Sequence, residues 1–377
     1  MGTKDLEALK LEIQGYRKIY HIRLDLDGAG WGAVILHIIS LLRYCDRENY
    51  YPVVDLDADC INAYFDAAHG NNTWQQYFEP VMSLSSDELL KYLPELDQAG
   101  LIHRLSSEEA KKICVEHDDS IYSFTFGRWR NTNIPDLDQW YQNERDKARQ
   151  TVQKYVRPHT QLQEKVDAFV TRHFEKDFTL GLHVRGTDMF YAPVVAPAEY
   201  FPHVDKWIRQ HPQLKIFLAT DQIQYLEVFI DRYGDRIIYS DCFRSDNEVA
   251  PFNRVEISPF VKGEEVMMDI LLLASCNFLI KSSSNVGEMA IYFNDDLNCL
   301  DLGYKKEKAY GEDYGKLWGI KNNKAAWDLV RKTDLNKLSS ESASQSKMQI
   351  VQFLLRKGCI YLRAMAGTIL RNATGKN

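Results

Sequence analysis

The segment Thr179–Asp188 reads TLGLHVRGTD, and it decides the fold. Its first residues form a mostly apolar run of strand length, which is typical of a strand buried in a parallel sheet. The run passes directly into His183, Arg185 and Asp188. In open α/β sheets the ligand lies beyond the carboxyl ends of the strands, and arginine offers paired donors that match phosphate oxygens. The segment therefore predicts a ligand site, although a surface ion pair would give the same pattern.

Strands and helices alternate on the C-terminal side of this segment. The pattern predicts helices over 197–211, 224–233, 263–275 and 285–294, and strands over 214–219, 235–239, 278–280 and 299–302. Such alternation indicates a parallel sheet. The polar stretch 245–262 is predicted to be a loop that can cover a site. The SSSN run at 282–285 opens a helix, where hydroxyl and backbone N–H groups form either an anion cradle or an ordinary serine N-cap.

The N-terminal half begins with a predicted half-buried strand over 20–27, followed by the turn GAGWGA, a helix over 34–47 and a strand over 51–56. Three interpretations of this unit stay open. The glycine spacing fits a loose dinucleotide fingerprint, although Trp31 places a large ring inside the turn. The DxD pairs at 25–27, 55–57 and 57–59 match a pattern that holds a metal ion and a nucleotide sugar, or they are solvated strand ends. The glycine turn can also face a ligand that the other half binds.

Helices are predicted over 86–115, with turns at Pro94 and Gly100, and over 143–174, with an interruption at 157–158. Two stretches, 72–80 and 122–141, are rich in aromatic residues. Aromatic rings beside amide and guanidinium donors suit a sugar subsite, but rings that pack a core give the same pattern.

Length and composition limit the classes of function. A chain of 377 residues predicts two domains, and a net charge of −7 argues against nucleic acid as the main partner. The seven cysteines form no CxxC pair, so neither a zinc ribbon nor a disulfide framework is predicted. The sequence has no apolar signal region at its N-terminus and no run of membrane-spanning length, so we expect a cytoplasmic protein.

Three motifs follow one another: HVRGTD at 183–188, LATD at 218–221, and Asp269 followed by SSSN at 282–285. This ordered set resembles the GDP-fucose-dependent glycosyltransferases, in particular the α1,6-fucosyltransferases that modify core chitobiose and the rhizobial nodulation factor. Protein O-fucosyltransferases are more distant. The resemblance implies an α/β protein with a GT-B arrangement of two Rossmann-like domains and a C-terminal helical tail. We divide the chain into an acceptor-side domain (1–174), a nucleotide-sugar-binding domain (175–305), and C-terminal helices with a tail (306–377).

The resemblance also implies roles for single residues. Arg185 would bind the β-phosphate and stabilise the departing GDP, with Asp188 as the second catalytic residue. The main chain of His183 and the carboxylate of Asp269 would bind guanine, and Asp221 would shape the pocket. The remaining donor-binding positions that the resemblance implies are Ser283, Ser284 and Asn285 at the phosphates, and Gly30 and Gly32 in a glycine loop on the opposite domain. The reaction would invert the anomeric carbon and use GDP-fucose as donor, with no metal and no cofactor.

The chain departs from the core-type pattern at two positions. Pro193 stands where those enzymes have a glutamate as general base, and Gly186 replaces a second arginine. Candidate bases in this chain are Glu199, Asp246 and Glu248. Two other functions stay open: a transferase with a different nucleotide-sugar donor, and an inactive sugar-binding protein. The expected partners are a nucleotide sugar and a glycan acceptor.

The segment 347–371 is apolar at helical spacing, and its charges are all basic. Basic amphipathic helices lie on anionic membrane surfaces. The segment therefore predicts peripheral membrane contact, although a helix that packs back onto the N-terminal domain would show the same pattern.

Overall fold

The structure, a computed structural model, describes residues 6–26, 28–116, 136–174, 178–187, 195–247 and 249–304. Its α-helices are α1 (Leu6–Glu12), α2 (Trp31–Glu48), α3 (Ser86–Gln98), α4 (Ser107–Glu116), α5 (Leu137–Tyr155), α6 (Thr160–His173), α7 (Pro197–Gln210), α8 (Ile223–Tyr233), α9 (Pro259–Ala274) and α10 (Asn285–Phe293). Its strands are β1 (Ile19–Ile22), β2 (Tyr51–Val54), β3 (Ile102–His103), β4 (Thr179–Val184), β5 (Lys215–Thr220), β6 (Ile237–Ile238), β7 (Phe278–Lys281) and β8 (Cys299–Asp301). The predicted α/β class is confirmed.

The N-terminal sheet has three parallel strands in the order β2-β1-β3. All four residues of β1 are buried, so the predicted half-buried strand over 20–27 is corrected to a shorter and fully buried one. The predicted alternation occurs beyond its end, where Leu24 and Leu26 are buried and Asp25 is exposed. The physical reason for the burial of β1 is that it is the central strand: Tyr20 and Ile22 join one hydrophobic cluster, whereas Ile19 on the other face joins a second. The charged residues come only after the strand has ended.

The second sheet has five parallel strands in the order β6-β5-β4-β7-β8. Numbered along the chain from β4, this is the order 3-2-1-4-5 of a doubly wound nucleotide-binding sheet. The order reverses between β4 and β7, which pair directly, with His183 opposite Lys281. A crevice opens outside the carboxyl ends of the strands at such a reversal. The HVRGTD and SSSN motifs follow these two strands.

One hydrophobic core connects the two sheets. The cluster that contains β1 and α2 continues into α9, α10 and the near face of β5. Gly263 of α9 packs so closely on the Tyr77 ring that a Cβ atom there would lie 2.9 Å from Cε1, and the Tyr77 hydroxyl donates to the Phe260 carbonyl at 2.9 Å. The proposed domain limits at 174/175 and 305/306 stay predictions.

The structure corrects two local predictions and supports two others. Pro94 lies inside α3 rather than in a turn, whereas Gly100 does form a turn, with φ of 67°. The helix predicted from residue 263 begins at Pro259, because proline is well suited to the first helical position, and the preceding loop is correspondingly shorter. The rings of Trp74, Tyr77 and Phe78 are buried, which supports the core interpretation of the stretch 72–80.

Several predictions fall outside the residues that the structure describes. They concern the aromatic residues between 122 and 135, the second carboxylate of the 25–27 pair and the tail 347–371. Among the residues described, no helix combines the length and the apolar character that crossing a membrane requires.

Candidate active site at the sheet reversal

Arg185 leaves the sheet directly after β4, and Asp221 leaves it directly after the neighbouring β5. Arg185 Nε pairs with Asp221 Oδ2 at 3.1 Å. The same carboxylate accepts from the backbone N–H groups of Gly186 at 2.8 Å and Thr187 at 3.2 Å, and from the Thr187 hydroxyl. Asp221 thus holds the turn that carries Arg185, and its role in shaping a nucleotide pocket stays a prediction.

Gly186 stands where the core-type motif has its second arginine, and its surroundings leave little space for a side chain. A Cβ atom at this position would collide with the amide group of Gln222 and would lie 2.8 Å from Tyr225 Cε2. Heavy atoms at such distances repel strongly, so an arginine could stand here only if the Gln222 and Tyr225 side chains moved. The space beside position 186 is thus filled by the Gln222 and Tyr225 side chains.

The SSSN motif follows β7 and begins α10. The Ser284 hydroxyl accepts from the Val286 N–H at 3.3 Å and caps the helix, so the cap interpretation is correct for this serine. The Ser282 hydroxyl accepts from the Arg185 N–H at 3.4 Å. Ser283 and Ser284 are both buried. The motif and the Arg185 turn thus lie side by side at the reversal.

The glycine turn of the N-terminal half reaches the same place. A Cβ atom on Gly32 would lie 3.1 Å from Asn285 Cβ, and one on Gly30 would lie 3.9 Å from the Phe252 ring. Asn285 Oδ1 is buried and has no hydrogen-bond partner within the described part of the chain. Buried polar atoms are nearly always bonded, so this oxygen is suited to accept from a ligand or a water molecule. Trp31 does not enter the site, because its ring packs against Tyr77 with ring centroids 4.8 Å apart.

His183 lies inside β4, two residues before Arg185. Its carbonyl accepts from the Tyr200 hydroxyl at 2.8 Å and from the Ser282 N–H at 3.3 Å, so this part of its main chain is used inside the protein. Its ring is buried, and burial together with the charges of Arg185 and Lys281 lowers the pKa of His183 to about 3. The imidazole is therefore neutral at physiological pH. Guanine binding by the His183 main chain stays a prediction.

Asp269 of α9 faces the chain that follows β6. Its Oδ1 accepts from the Ser240 hydroxyl at 2.6 Å, and Cys242 Sγ lies 4.0 Å from Oδ2. Burial raises the pKa of Asp269 to about 6, although the Ser240 hydrogen bond and the Arg244 charge act in the opposite direction. A desolvated carboxylate with lone pairs to spare is suited to bind paired N–H donors such as those of guanine.

A buried network of four charges lies beneath the SSSN motif. The Lys281 ammonium pairs with Glu288 at 2.7 Å and with Asp301 at 2.5 Å, and Arg145 pairs with Glu288 at 2.7 Å. We call Arg145, Lys281, Glu288 and Asp301 the ionic tetrad. Burial acts to raise the pKa of Glu288, but the two cations outweigh it and lower that pKa to about 2. The tetrad fixes α5, α10 and the ends of β7 and β8 together.

The candidate bases are not equivalent. Glu199 accepts from the Ala196 N–H at 2.9 Å and so takes part in capping α7. Asp246 is 76% exposed and pairs with Arg254 at 2.9 Å. Asp188 and Glu248 lie outside the described residues. The geometry thus assigns a structural hydrogen bond to Glu199, and the identity of the base stays open.

The DxD pair at 55–57 binds protein groups. Arg23 pairs with Asp55 at 2.8 Å and with Asp57 at 2.5 Å, and His21 Nε2 lies 2.8 Å from Asp55. Two carboxylates that share a guanidinium group are poorly suited to hold a divalent ion. No cluster of three or more metal-ligating side chains occurs among the residues described.

Sequence analysis missed Ser240, Arg244 and Thr187, and it missed the whole tetrad. Lys281 carried a signal, because a lysine that ends an apolar strand inside a sheet needs a partner. Its partners, however, lie on other elements, and Arg145 is 143 positions away from Glu288. Such long-range contacts leave no local pattern.

The chain is homologous to nodulation protein Z of Sinorhizobium fredii, with 21% identity over 277 residues, which span 67% of this chain and 84% of the relative. This relative confirms the predicted resemblance to the nodulation-type proteins. No family model matches the chain.

The chain is also similar to solved structures of other proteins. The fucosyltransferase NodZ from Bradyrhizobium covers 73% of this chain and 93% of its own, with 17% identity and a TM-score of 0.40. A mutant of Arabidopsis thaliana FUT1 in complex with GDP covers 79% and 74%, with 10% identity and a TM-score of 0.44. POFUT1 in complex with GDP covers 76% and 99%, with 8% identity and a TM-score of 0.45.

Proposed function

We propose that this chain is an inverting glycosyltransferase that transfers fucose from GDP-fucose to a glycan or glycoconjugate. The observation that carries this proposal is that the Arg185 turn and the start of α10 meet at the β4/β7 reversal, while Asp269 of α9 lies beside the chain that follows β6 and near Asp221. A sheet reversal of this kind is where α/β proteins bind nucleotides. The homology to nodulation protein Z and the resemblance of the motifs support GDP-fucose as the donor.

In the proposed reaction, an acceptor hydroxyl attacks the anomeric carbon of fucose from the side opposite GDP. The bond between this carbon and the β-phosphate oxygen breaks, and the electron pair stays on the phosphate. Arg185 and the N-terminus of α10 stabilise the charge that develops there, which is the kind of stabilisation that contributes most to catalysis. Since the protein supplies this positive charge, we propose a reaction without metal or other cofactor. The acceptor proton passes to a carboxylate of the protein.

The donor pocket belongs, in this proposal, to the domain 175–305, and the acceptor binds on the side of the domain 1–174, as in a GT-B enzyme. Gly30 and Gly32 face the donor from this second side, since they lie beside Phe252 and Asn285. The segment 347–371 is proposed to contact anionic membranes. Truncation after residue 337 should then abolish sedimentation with anionic liposomes without loss of GDP binding.

The decisive experiment is calorimetry with GDP, UDP and ADP in the presence of EDTA. We expect GDP to bind about tenfold tighter than the other two, because in this proposal the Asp269 carboxylate accepts from the paired N–H donors of guanine. EDTA should leave the affinity unchanged. A preference for UDP, or loss of binding on chelation, would overturn the proposal. An acceptor-array assay with GDP-fucose and mass spectrometry then identifies the acceptor.

A further inference from the structure

Arg244 holds both residues of the chain after β6 that contact the Asp269 carboxylate. The Ser240 hydroxyl donates to Asp269 Oδ1 at 2.6 Å, and Cys242 Sγ lies 4.0 Å from Oδ2. Arg244 donates from Nη2 to the Ser240 carbonyl and from Nη1 to the Cys242 carbonyl, each at 3.0 Å. Its guanidinium carbon lies 5.1 Å from the centroid of the Tyr239 ring, which begins the same segment. One side chain therefore folds this segment around the carboxylate.

The positive charge of Arg244 has no ion-pair partner in the described part of the chain. Burial raises the pKa of Asp269 to about 6, and it also raises the pKa of Glu265 on the same helix. The charge of Arg244 acts against burial at both carboxyl groups. A cation near a desolvated carboxyl group favours its ionised form. Arg244 therefore stabilises the negative charge of Asp269 as well as its surroundings.

The other titratable groups of this region follow β5, follow β6 or belong to α9; they are Asp221, Asp241, Cys242 and Glu265. The charge of Asp221 raises the pKa of Asp269, and the charge of Asp241 raises that of Glu265. The Cys242 thiol is neutral at physiological pH, since burial raises its pKa to about 12. These groups bring negative charge or none, and Arg244 supplies the positive charge that compensates it.

We propose that Arg244 is a positioning residue for the nucleotide base, which orients the Asp269 carboxylate and keeps it negatively charged. The inference rests on the proposed function, because that function places guanine at Asp269. Guanine presents two parallel N–H donors, which match the two oxygens of an ionised carboxylate. A protonated carboxyl group presents one donor and one acceptor, which match adenine instead. Arg244 thus contributes to the choice of base through Asp269.

The test compares Arg244→Met and Arg244→Lys with the wild type. Methionine removes the charge and both donors, whereas lysine keeps the charge and loses the planar fork. The matched control is Arg236→Met. Arg236 also donates to two carbonyls, those of Pro212 at 2.7 Å and Leu214 at 3.3 Å, but these precede β5, at the amino ends of the strands. Calorimetry with GDP and ADP between about pH 5 and about pH 8 measures the affinities, and the thermal midpoint without nucleotide checks the fold.

In the wild type, the affinity for GDP should begin to fall near the pKa of Asp269, which is about 6. Arg244→Met should move the midpoint of this fall upwards by about one pH unit, because removal of a nearby cation raises the pKa of a carboxyl group. The affinity that this variant loses at neutral pH should therefore return in part at about pH 8, and its preference for GDP over ADP at neutral pH should decrease. Arg244→Lys should keep a midpoint close to that of the wild type, but its affinity above the midpoint should fall by about fivefold, since the orienting hydrogen bonds are lost.

An unchanged midpoint in Arg244→Met, or an equal shift in Arg236→Met, overturns the inference. A loss of affinity that is the same at every pH does so too, because a structural role alone would produce it. If Arg244→Met does not fold, Arg244→Lys decides, and wild-type affinity above its midpoint counts against the inference. A wild type that binds no GDP defeats the proposed function instead. Carbon NMR titration of the aspartate carboxyl groups in the free protein then still decides whether Arg244→Lys or Arg244→Met changes the pKa of Asp269.

Discussion

Two buried lysines of this chain have opposite surroundings. Lys281 is 1% exposed and lies between Glu288 and Asp301, each within 2.7 Å, so its charge is balanced inside the tetrad. Lys262 is 9% exposed, its ammonium reaches solvent, and no carboxylate of the described residues pairs with it. Lys281 ends β7, directly before the SSSN motif, whereas Lys262 lies near the start of α9. The difference teaches that burial of a charge does not by itself indicate function, because a balanced network is sufficient to explain it.

The same distinction applies to the acidic pairs at the edge of the N-terminal sheet. Asp55 and Asp57 match a metal-binding pattern in the sequence, yet both pair with Arg23. Asp269, by contrast, binds a neutral serine hydroxyl and has its pKa raised by burial. We therefore assign a structural role to charged groups that balance one another. We assign a role in ligand binding to charged groups that lack such a partner. Four predictions test this assignment.

The largest expected effect is on stability, from Glu288→Gln. This change leaves Arg145 and Lys281 buried with less compensating charge, and breaking a buried pair costs about 3–5 kcal/mol of unfolding free energy. Urea denaturation at pH 7 measures it. The control Glu264→Gln removes an exposed pair and should cost about 1 kcal/mol or less.

Because the folded pKa of Glu288 is lowered to about 2, its contribution to the free energy of unfolding is complete above the usual carboxyl pKa and is lost as the pH falls towards 2. A loss comparable with the control would mean that the tetrad is not a balanced unit.

Arg185→Lys should lower kcat by about a hundredfold, roughly 3 kcal/mol of transition-state stabilisation, because a point charge replaces a planar fork of donors. Single-turnover assays with GDP-fucose measure the effect once an acceptor is known. Arg232→Lys is the control, since Arg232 pairs with Asp205 on the surface at 2.7 Å. Equal turnover in both variants would reduce Arg185 to a structural partner of Asp221.

GDP affinity should depend on pH through Asp269. The carboxylate must be ionised to accept from guanine, and burial raises its pKa to about 6 in the free protein. The affinity should therefore be constant above that value and fall by about tenfold per unit below it. Calorimetry between about pH 5 and about pH 8 records the profile on both sides of this pKa. Asp269→Asn should bind GDP weakly and without this dependence; an unchanged profile in that variant would assign the titration to another group.

The smallest effect is expected for Asp57→Asn, which weakens a pair with Arg23 at the surface. Activity should stay within about threefold, and stability within about 1 kcal/mol, since partly exposed pairs contribute little. Turnover assays with and without added manganese provide the measurement. A large loss that manganese rescues would restore the metal-dependent alternative.

The sequence was sufficient to predict the strands and helices that have a clear local periodicity. The strand before His183, the alternation that follows it and the helix after the SSSN run all have clear periodicity, and the structure has them at nearly those positions. The predicted C-terminal limit of β1 was wrong, because the alternating charges lie beyond the end of the strand and look like the exposed face of one. Lys262 was assigned to a loop, because the two prolines of that stretch indicated turns rather than a helix start at Pro259.

The core that α2, α9 and α10 share has a consequence for how the chain melts. Elements that bury the same apolar surface lose it together, so the two sheets are expected to unfold as one cooperative unit rather than as separate foldons. A nucleotide that touches only the C-terminal half would then protect the N-terminal half as well. At a hundredfold excess over its Kd, such a ligand adds about 2.7 kcal/mol to the unfolding free energy of the whole unit.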